Sequence, residues 1–341
     1  MHRRSPDERS PHLTCDGERG PRDVVMVQSM VTELMAPSGL LLRRHALEAG
    51  YTDKHLGRLV KSGQLSRIRQ GAYAPTDRWT ELDRRGRHVV LSEAVMTQYR
   101  QDRVALSHDS GVLKHDGPDY GLDLTAVHVT HLVGGGRREA GVVHHEGTCG
   151  LLDLTRVDGD WVTSPARTVL DVAMLYGVEA GVVVADDFIR RKLTSTAELR
   201  QLYERVRQWP GALVLRIVIG LATGKSDSVG ESLGWLLFRN QRLPRPVQQF
   251  EVFRPSGHLA GRTDWAWPER RVLAEFDGFS KYLRSRREGE SIEECVLREK
   301  RREDLLRELT GFWVVRLIWA DLFRPQHTAD RIRAAFAQAA A

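Results

Sequence analysis

Beyond residue 226 the apolar period of the chain switches repeatedly between that of a helix and that of a strand, and the order of those switches constrains the fold more than any other feature. DSVGESLGWLLFRNQRLP carries Leu233, Leu236 and Leu237 at helical spacing, with Ser228 as a cap. PVQQFEVF and GRTDWAWP read as strands separated by a turn at PSG, and RVLAEFDGFSKY as a third strand after a tight turn at PERR. SIEECVLREKRREDLLRELTG reads as a long amphipathic helix that Gly311 ends, FWVVRLIWADL as a last strand, and DRIRAAFAQA as a terminal helix. The predicted order is α-β-β-β-α-β-α. Trp265 and Trp267 alternate with Asp264, so they are expected in the core on the face opposite to it.

The N-terminal part carries a different pattern. SGLLLRRHALEAG reads as a helix from Ser38 to Gly50. YTDKHLGRLVKSG reads as a second, with Thr52 or Asp53 as cap, Leu56, Leu59 and Val60 as the apolar stripe and Gly63 as the stop. QLSRIRQGAYAP then alternates as a short hairpin. Helix, turn, helix, hairpin is the order of a winged helix-turn-helix, whose second helix enters the DNA major groove. Lys54, His55, Arg58 and Lys61 fall on the polar face of that helix, and Arg67 and Arg69 on the wing, placed for phosphate contact. Residues 37–85 hold ten Lys and Arg against five Asp and Glu, an excess of five within a chain of net charge +6. Local positive charge suits a polyanion. VVMVQSMVTELM, just before this segment, reads as one helix after a polar stretch that resembles disordered sequence.

Between these parts, residues 86–225 read as an α/β block. Val89–Tyr99 and RVALSHDSGVLKHDG have helical spacing, and DLTAVHVTHLV and GVVHHEG read as strands about a hairpin turn at Gly134, Gly135 and Gly136. VTSPARTVLDVAMLYG starts a helix at Ser164 and Pro165, and two further helices follow. His128 and His131 project from opposite faces of one strand, and the adjacent His144 and His145 also diverge. Zinc-ligand spacing is missing, so no metal site is expected among His108, His115, His128, His131, His144 and His145. Cys15, Cys149 and Cys295 are far apart and imply neither a disulfide framework nor a CxxC zinc site.

TDKHLGRLVKSGQLSRIRQGAYAP resembles the N-terminal winged helix of the AbiEi-like antitoxins of type IV toxin–antitoxin, abortive-infection systems. The resemblance spans residues 37–80 and implies DNA binding and a cognate toxin. SHDSGVLKHDG, the following strands and RTVLD are similar to the C-terminal part of those antitoxins, which implies a role in homo-oligomer formation or toxin neutralisation.

Residues 225–325 resemble a PD-(D/E)XK nuclease core of the small very-short-patch-repair-endonuclease-like kind. The residues that carry this are Glu231 in the first helix, Asp264 in the second strand, and Glu275 and Asp277 in EFDG. The resemblance implies a catalytic set of Glu231, Asp264, Glu275, Asp277 and Lys281, with Asp264, Glu275 and Asp277 holding Mg²⁺ or Mn²⁺. Phosphodiester hydrolysis needs a metal-activated water and neutralised phosphate charge. Hard carboxylate oxygens suit Mg²⁺. The family's usual lysine lies two residues after the glutamate, where this chain has Asp277; Lys281 is the nearest lysine. Lys300, Arg301 and Arg302 on the next helix are the further expected nucleic-acid contacts, and Arg316 another contact or a partner of the carboxylates.

The chain has 341 residues, 41% apolar and 28% charged, enough for several buried cores. No apolar run is long enough to span a bilayer, and the polar start lacks a secretory h-region, so a cytoplasmic protein without membrane contact is expected. The expected fold class is α+β multidomain: a partly disordered segment 1–36, a winged helix-turn-helix 37–85, an antitoxin-like α/β middle domain 86–225 and a restriction-endonuclease-like α/β core 226–341. The expected function is DNA binding with metal-dependent endonuclease activity, in phage defence or DNA processing. The alternative is a non-enzymatic antitoxin or repressor with a degenerate nuclease fold.

Overall fold

Leu40, Leu41 and Leu42 set the first departure from the sequence pattern. All three are buried, and Leu41–Leu42 form a short strand, β1, rather than a first helical turn. A continuous apolar run does not distinguish a buried strand from a helix, and here sheet pairing decides. In this computed structural model, which describes residues 34–99, 103–132, 140–278 and 290–340, the chain divides into two units, Met1–Gln98 and Tyr99–Ala341. The expected helix over VVMVQSMVTELM lies almost entirely outside the described residues.

In the first unit, helix α1 (Arg43–Glu48) follows β1, and α2 (Asp53–Lys61) follows a turn. The Thr52 hydroxyl accepts from the His55 backbone N–H at 3.3 Å, and His55 Nδ1 accepts from the Thr52 N–H at 3.3 Å. This reciprocal cap fixes the start of α2. Strands β2 (Leu65–Arg69) and β3 (Ala72–Pro75) form the hairpin, turning at Gly71, whose φ of +72° favours glycine. β1 adds to β3, in the order β1-β3-β2. Helices α3 (Thr76–Glu81) and α4 (Arg84–Met96) follow. Val90 and Ala94 of α4 pack with Leu40, Leu42 and Ala72. The first domain therefore runs to residue 98 rather than to 85, because α4 completes its core.

The second unit contains two sheets. Strands β4 (Val104–Leu106), β5 (Val127–His131), β6 (Val142–His145), β7 (Leu154–Val157) and β8 (Asp160–Thr163) lie in the order β6-β5-β4-β8-β7. The helix expected over RVALSHDSGVLKHDG divides into β4 and α5 (His108–Lys114), since Val104, Ala105 and Leu106 are buried in the central strand. β5 and β6 pair in parallel, not as the two arms of a hairpin. Gly134, Gly135 and Gly136, read as that hairpin's turn, lie outside the described residues.

Helices α6 (Pro165–Tyr176), α7 (Val178–Arg190), α8 (Thr196–Val206) and α9 (Leu213–Leu221) build one apolar core around Leu170, Val184, Phe188, Leu199 and Leu215. The Ser164 hydroxyl caps α6 by accepting from the Arg167 N–H.

That core does not stop at residue 225. Trp235 and Leu236 of α10 (Val229–Asn240) belong to it, and the Trp235 indole donates to the Leu221 carbonyl at 2.9 Å. The expected boundary at 225/226 is thus bridged by packing. Asp186 of α7, 1% exposed, accepts from the Thr223 and Gly224 backbone N–H groups at 2.6 and 2.8 Å. It also accepts from Ser226 Oγ at 3.1 Å and Ser232 Oγ at 2.8 Å.

The second sheet has the order β12-β11-β10-β9, from β9 (Val247–Phe253), β10 (Leu259–Trp267), β11 (Val272–Phe276) and β12 (Trp313–Leu317). β9, β10 and β11 are antiparallel neighbours. β11 and β12 are parallel, with α11 (Ile292–Thr310) between them in the chain. The last strand ends at Leu317, earlier than FWVVRLIWADL suggests. A short helix α12 (Trp319–Leu322) takes over, followed by α13 (Pro325–Ala340). Asp321 Oδ2 accepts from the Ile318 N–H at 2.9 Å and so ends the strand as a cap.

One face of this sheet packs Trp265, Trp267 and Phe276 against Leu237 and Phe238 of α10 and Ile332 of α13. The other packs Ala266 and Leu273 against Leu306 of α11. The helix-to-sheet approach on the first face requires glycine. A Cβ on Gly230 would lie 2.0 Å from the Phe276 ring, and one on Gly234 2.6 Å from the Trp265 ring.

Asp186→Ala would strip the acceptor from buried donors, each costing about 1–3 kcal/mol when left unmade. Urea unfolding followed by circular dichroism is expected to show the second unit destabilised by about 3 kcal/mol or more. Asp186→Asn, which keeps one carbonyl oxygen, is expected to lose less.

Candidate functional site

The polar face of α2 is built as the sequence suggests. Lys54, Arg58 and Lys61 stand at i, i+4 and i+7, and all three are exposed. Arg67 is exposed on β2. Arg69 is not placed in the same way. The pairing register of β2 on β3 shifts between Arg67 and Arg69, and Arg69 Nε donates to the Gln98 side chain at 3.0 Å. Arg43 at the start of α1 is paired with Asp53 at the start of α2, so the two helices of the motif are joined by an exposed bidentate ion pair.

In the second sheet, Trp265 and Trp267 are buried with Phe238, on the face opposite Asp264, as the alternation predicts. Trp265 is paired with Ala274 across β10 and β11, which sets Asp264 opposite Glu275. Both residues share the alternation of Ala266 and Leu273 and so belong to the face that α11 covers. Asp264 Oδ2 accepts from the Phe276 N–H at 2.7 Å.

Glu231, one turn into α10, is buried. Its carboxylate accepts from the Asp227 N–H at 2.9 Å, Ser228 Oγ at 2.9 Å and Gln249 Nε2 at 2.7 Å. Burial, reinforced by the charge of Asp264, pushes its carboxyl up to about 7. Glu275 is also buried, and Arg302 of α11 grips it with Nη2 at 2.9 Å from Oε1 and 3.1 Å from Oε2. The same guanidinium donates through Nη1 to the Arg262 carbonyl at 3.1 Å, and Arg262 pairs with Asp227 at 2.6 Å. Asp277 follows the end of β11, with its N–H on the Leu317 carbonyl and its carboxylate 3.9 Å from Arg316. Arg316 also pairs with Glu303, which makes it an ion-pair partner of carboxylates.

Two of the four sequence-predicted acids, Glu275 and Glu231, are thus linked through a relay of Arg302, Arg262 and Asp227. Asp264 stands opposite Glu275, Asp277 faces Arg316, and Asp264, Glu275 and Asp277 do not converge as bare ligands around one point. Arg302 is part of that relay and does not project outward as Lys300 and Arg301 do. Lys281 lies outside the described residues. Hard oxygen donors of this kind suit Mg²⁺. The Glu231 carboxyl is raised mainly by burial and further by the charge of Asp264.

The histidines of the middle part correct the sequence expectation. Each strand does send its two histidines to opposite faces, but parallel pairing matches them across strands. His128 Nδ1 lies 2.9 Å from His145 Nε2, and His131 Nε2 lies 2.7 Å from His144 Nδ1. His108 adds to the first pair, its ring stacked on that of His145 with centroids 3.6 Å apart. His108, His128 and His145 form the one group of three or more His, Cys or carboxylate side chains among the described residues whose ligating atoms lie within 4.8 Å of one another. Burial is the main cause that pushes His108 down to about 3 and His145 down to about 4. The missed signal was a register, not a spacing.

Compared with known proteins, residues 32–76 match the family described as transcriptional regulator, AbiEi antitoxin. This bears out the N-terminal resemblance and covers β1, α1, α2 and the hairpin. Two Mycobacterium tuberculosis proteins, uncharacterized protein MT2308 and uncharacterized protein Rv2248, are each similar to this chain at 27% identity over 285 residues. The aligned stretch covers 82% of this chain and 96% of each relative. No helix among the described residues is long and apolar enough to cross a membrane.

The raised Glu231 carboxyl fixes the sign of a pH effect. A group whose folded value lies above its ordinary 4.5 favours the folded state below pH 4.5, and that contribution is lost as pH rises through about 7. Glu231→Gln keeps the side chain's shape and removes the charge. In EDTA, the unfolding free energy of Glu231→Gln relative to the parent is expected to rise by about 3 kcal/mol between pH 4.5 and 7.5, at 1.36 kcal/mol per pKa unit. A flat difference across that range would remove the upward shift that burial and the Asp264 charge give Glu231.

Proposed function

We propose that this chain is a DNA-binding transcriptional regulator of the antitoxin kind, which sets α2 in the major groove and the β2–β3 wing against phosphates. The observation that carries this reading is the exposed row Lys54, Arg58 and Lys61 on a capped helix, inside the segment that matches the AbiEi antitoxin family. A helix-turn-helix of this order presents its second helix to base edges, and cations flanking it release counterions from the duplex. The reading also brings a cognate toxin protein as a partner. Binding to the duplex upstream of its own gene, measured by anisotropy across a salt series, tests it. Neutralising Lys54, Arg58, Lys61 and Arg67 is expected to weaken binding to all sequences and to reduce the salt slope by about one unit for each phosphate no longer neutralised. An unchanged slope removes α2 and the wing as the binding surface.

A second reading concerns the other sheet, and the pairing that sets Asp264 opposite the buried Glu275 favours it. Here the C-terminal part is a metal-dependent endonuclease, with Asp264, Glu275 and Asp277 holding Mg²⁺ or Mn²⁺. The ion would supply an activated water and neutralise phosphate charge. Glu231 would hold its proton until the cation enters, and Arg302 would exchange Glu275 for the phosphate. Lys281 is proposed as the lysine, with Lys300 and Arg301 as further phosphate contacts. Plasmid nicking with Mg²⁺ or Mn²⁺ is expected to vanish in Asp264→Ala and Glu275→Ala while circular dichroism stays unchanged. Cleavage that survives either change, or that persists fully in EDTA, overturns this reading and leaves the regulator alone. A Lys281→Ala rate within about threefold of the parent would move the lysine's part to Lys300 and Arg301, since losing a stabilising donor typically costs about a hundredfold or more.

A further inference from the structure

The three clustered imidazoles come from three separate elements: His108 from the first turn of α5, His128 from β5 and His145 from β6. Such a grouping costs something. His108 is held at a φ of +50°, a left-handed backbone uncommon for any residue but glycine. Strain of this sort, kept inside a packed fold, points from geometry toward function. The orientation of His108 is also set. Its Nδ1 lies 3.0 Å from Ser107 Oγ, which leaves Nε2 for another partner.

A buried carboxylate stands behind the cluster. Asp171 of α6 acts by its charge on His145, and its Oδ2 is buried without a hydrogen-bond partner. Its Oδ1 accepts from Arg167 Nε at 2.7 Å, and Arg167 also reaches Asp153 at 3.5 Å, while Arg205 pairs with Asp153 at 2.8 Å.

We propose that His108, His128 and His145 bind one divalent transition-metal ion, Zn²⁺ in the first instance, with Asp171 as a nearby buried carboxylate whose charge favours the cation. Three neutral nitrogens with an open fourth position are a zinc donor set, and imidazole equally suits Co²⁺ or Ni²⁺ while disfavouring Mg²⁺. Zn–N bonds of about 2.0–2.1 Å in tetrahedral geometry place ligand nitrogens roughly 3.3 Å apart. His128 Nδ1 and His145 Nε2 stand at 2.9 Å, so the pair opens by only a few tenths of an ångström to admit the ion. The proton that joins those two nitrogens passes to the other nitrogen of its own ring. One ring changes tautomer, and no net proton is released. This site is separate from the acidic end of the second sheet and does not rest on either functional reading.

The test uses the full chain, stripped with EDTA and dialysed. Zn²⁺ titrated in competition with a chromophoric chelator is expected to bind at one equivalent per chain and to raise the thermal midpoint. Co²⁺ loaded in its place is expected to give the intense visible bands of a four-coordinate nitrogen site. His128→Asn and His145→Gln are expected to weaken Zn²⁺ binding by more than about a hundredfold. Asp171→Asn, which removes a nearby buried negative charge, is expected to weaken it by about tenfold. Asp264→Asn is expected to leave it unchanged. Absence of tight Zn²⁺ binding, its retention in both histidine variants, or its loss in Asp264→Asn overturns the proposal. Should the histidine variants fail to fold, the Co²⁺ spectrum of the parent decides, and the weak bands of six oxygen ligands would overturn it.

Discussion

Asp186 holds a carboxylate almost entirely out of water, and the second unit is arranged around the need to satisfy it. An ionised group in that position is tolerable only when donors converge on it. Two come from the backbone at Thr223 and Gly224, and two from the hydroxyls of Ser226 and Ser232. Those donors fix the path of the chain from α9 into α10. The start of α10 is where Ser228 caps the helix and Glu231 turns back to accept from Asp227, Ser228 and Gln249. A buried charge on α7 therefore decides where the acid of the other sheet stands.

The acidic end of that sheet follows the same logic with the signs divided. Glu275 is buried against the Arg302 guanidinium, whose Nη2 reaches both carboxylate oxygens, and Glu231 is buried among neutral donors. Burial first, and then the charge of Asp264, drive the Glu231 carboxyl up. Arg302 reaches Glu275 from α11 and the Arg262 carbonyl on β10. One side chain thus ties α11 both to the carboxylate of β11 and to the backbone of β10.

Much of this was legible where local rules decide. Thr52, Ser164, Ser228 and Gly311 mark helix ends by their own chemistry, and each marks an end in the structure. The order of elements beyond residue 226 was readable because each segment is long and its period clear, and it is found from α10 to α13 with the short α12 added after the last strand. What local rules missed depends on partners distant in sequence. Leu41 and Leu42 are a strand because Tyr73 and Ala72 pair with them. The helix over Leu213–Leu221 is an almost unbroken apolar run and so offers no period to read. The histidine cluster needed the parallel register of Val127 on Val142, and the capture of Glu275 needed Arg302, twenty-seven residues further along. The N-terminal resemblance to AbiEi-like antitoxins is met by a family match at residues 32–76.

Gly230 and Gly234 face Phe276 and Trp265 across one side of α10, while Trp235 and Leu236 face the core of the preceding helices. One helix is thereby wedged between two hydrophobic interiors and belongs to both. A fragment beginning at residue 226 would keep the second sheet but carry Trp235 and Leu236 into water, and its sibling ending at 225 would be left with an open wall where those side chains had been. The C-terminal part is thus no portable cassette. Shuffling it onto another chain would require either a replacement for the missing wall or polar residues at positions 235 and 236, so it is expected to travel through evolution together with the helices that precede it.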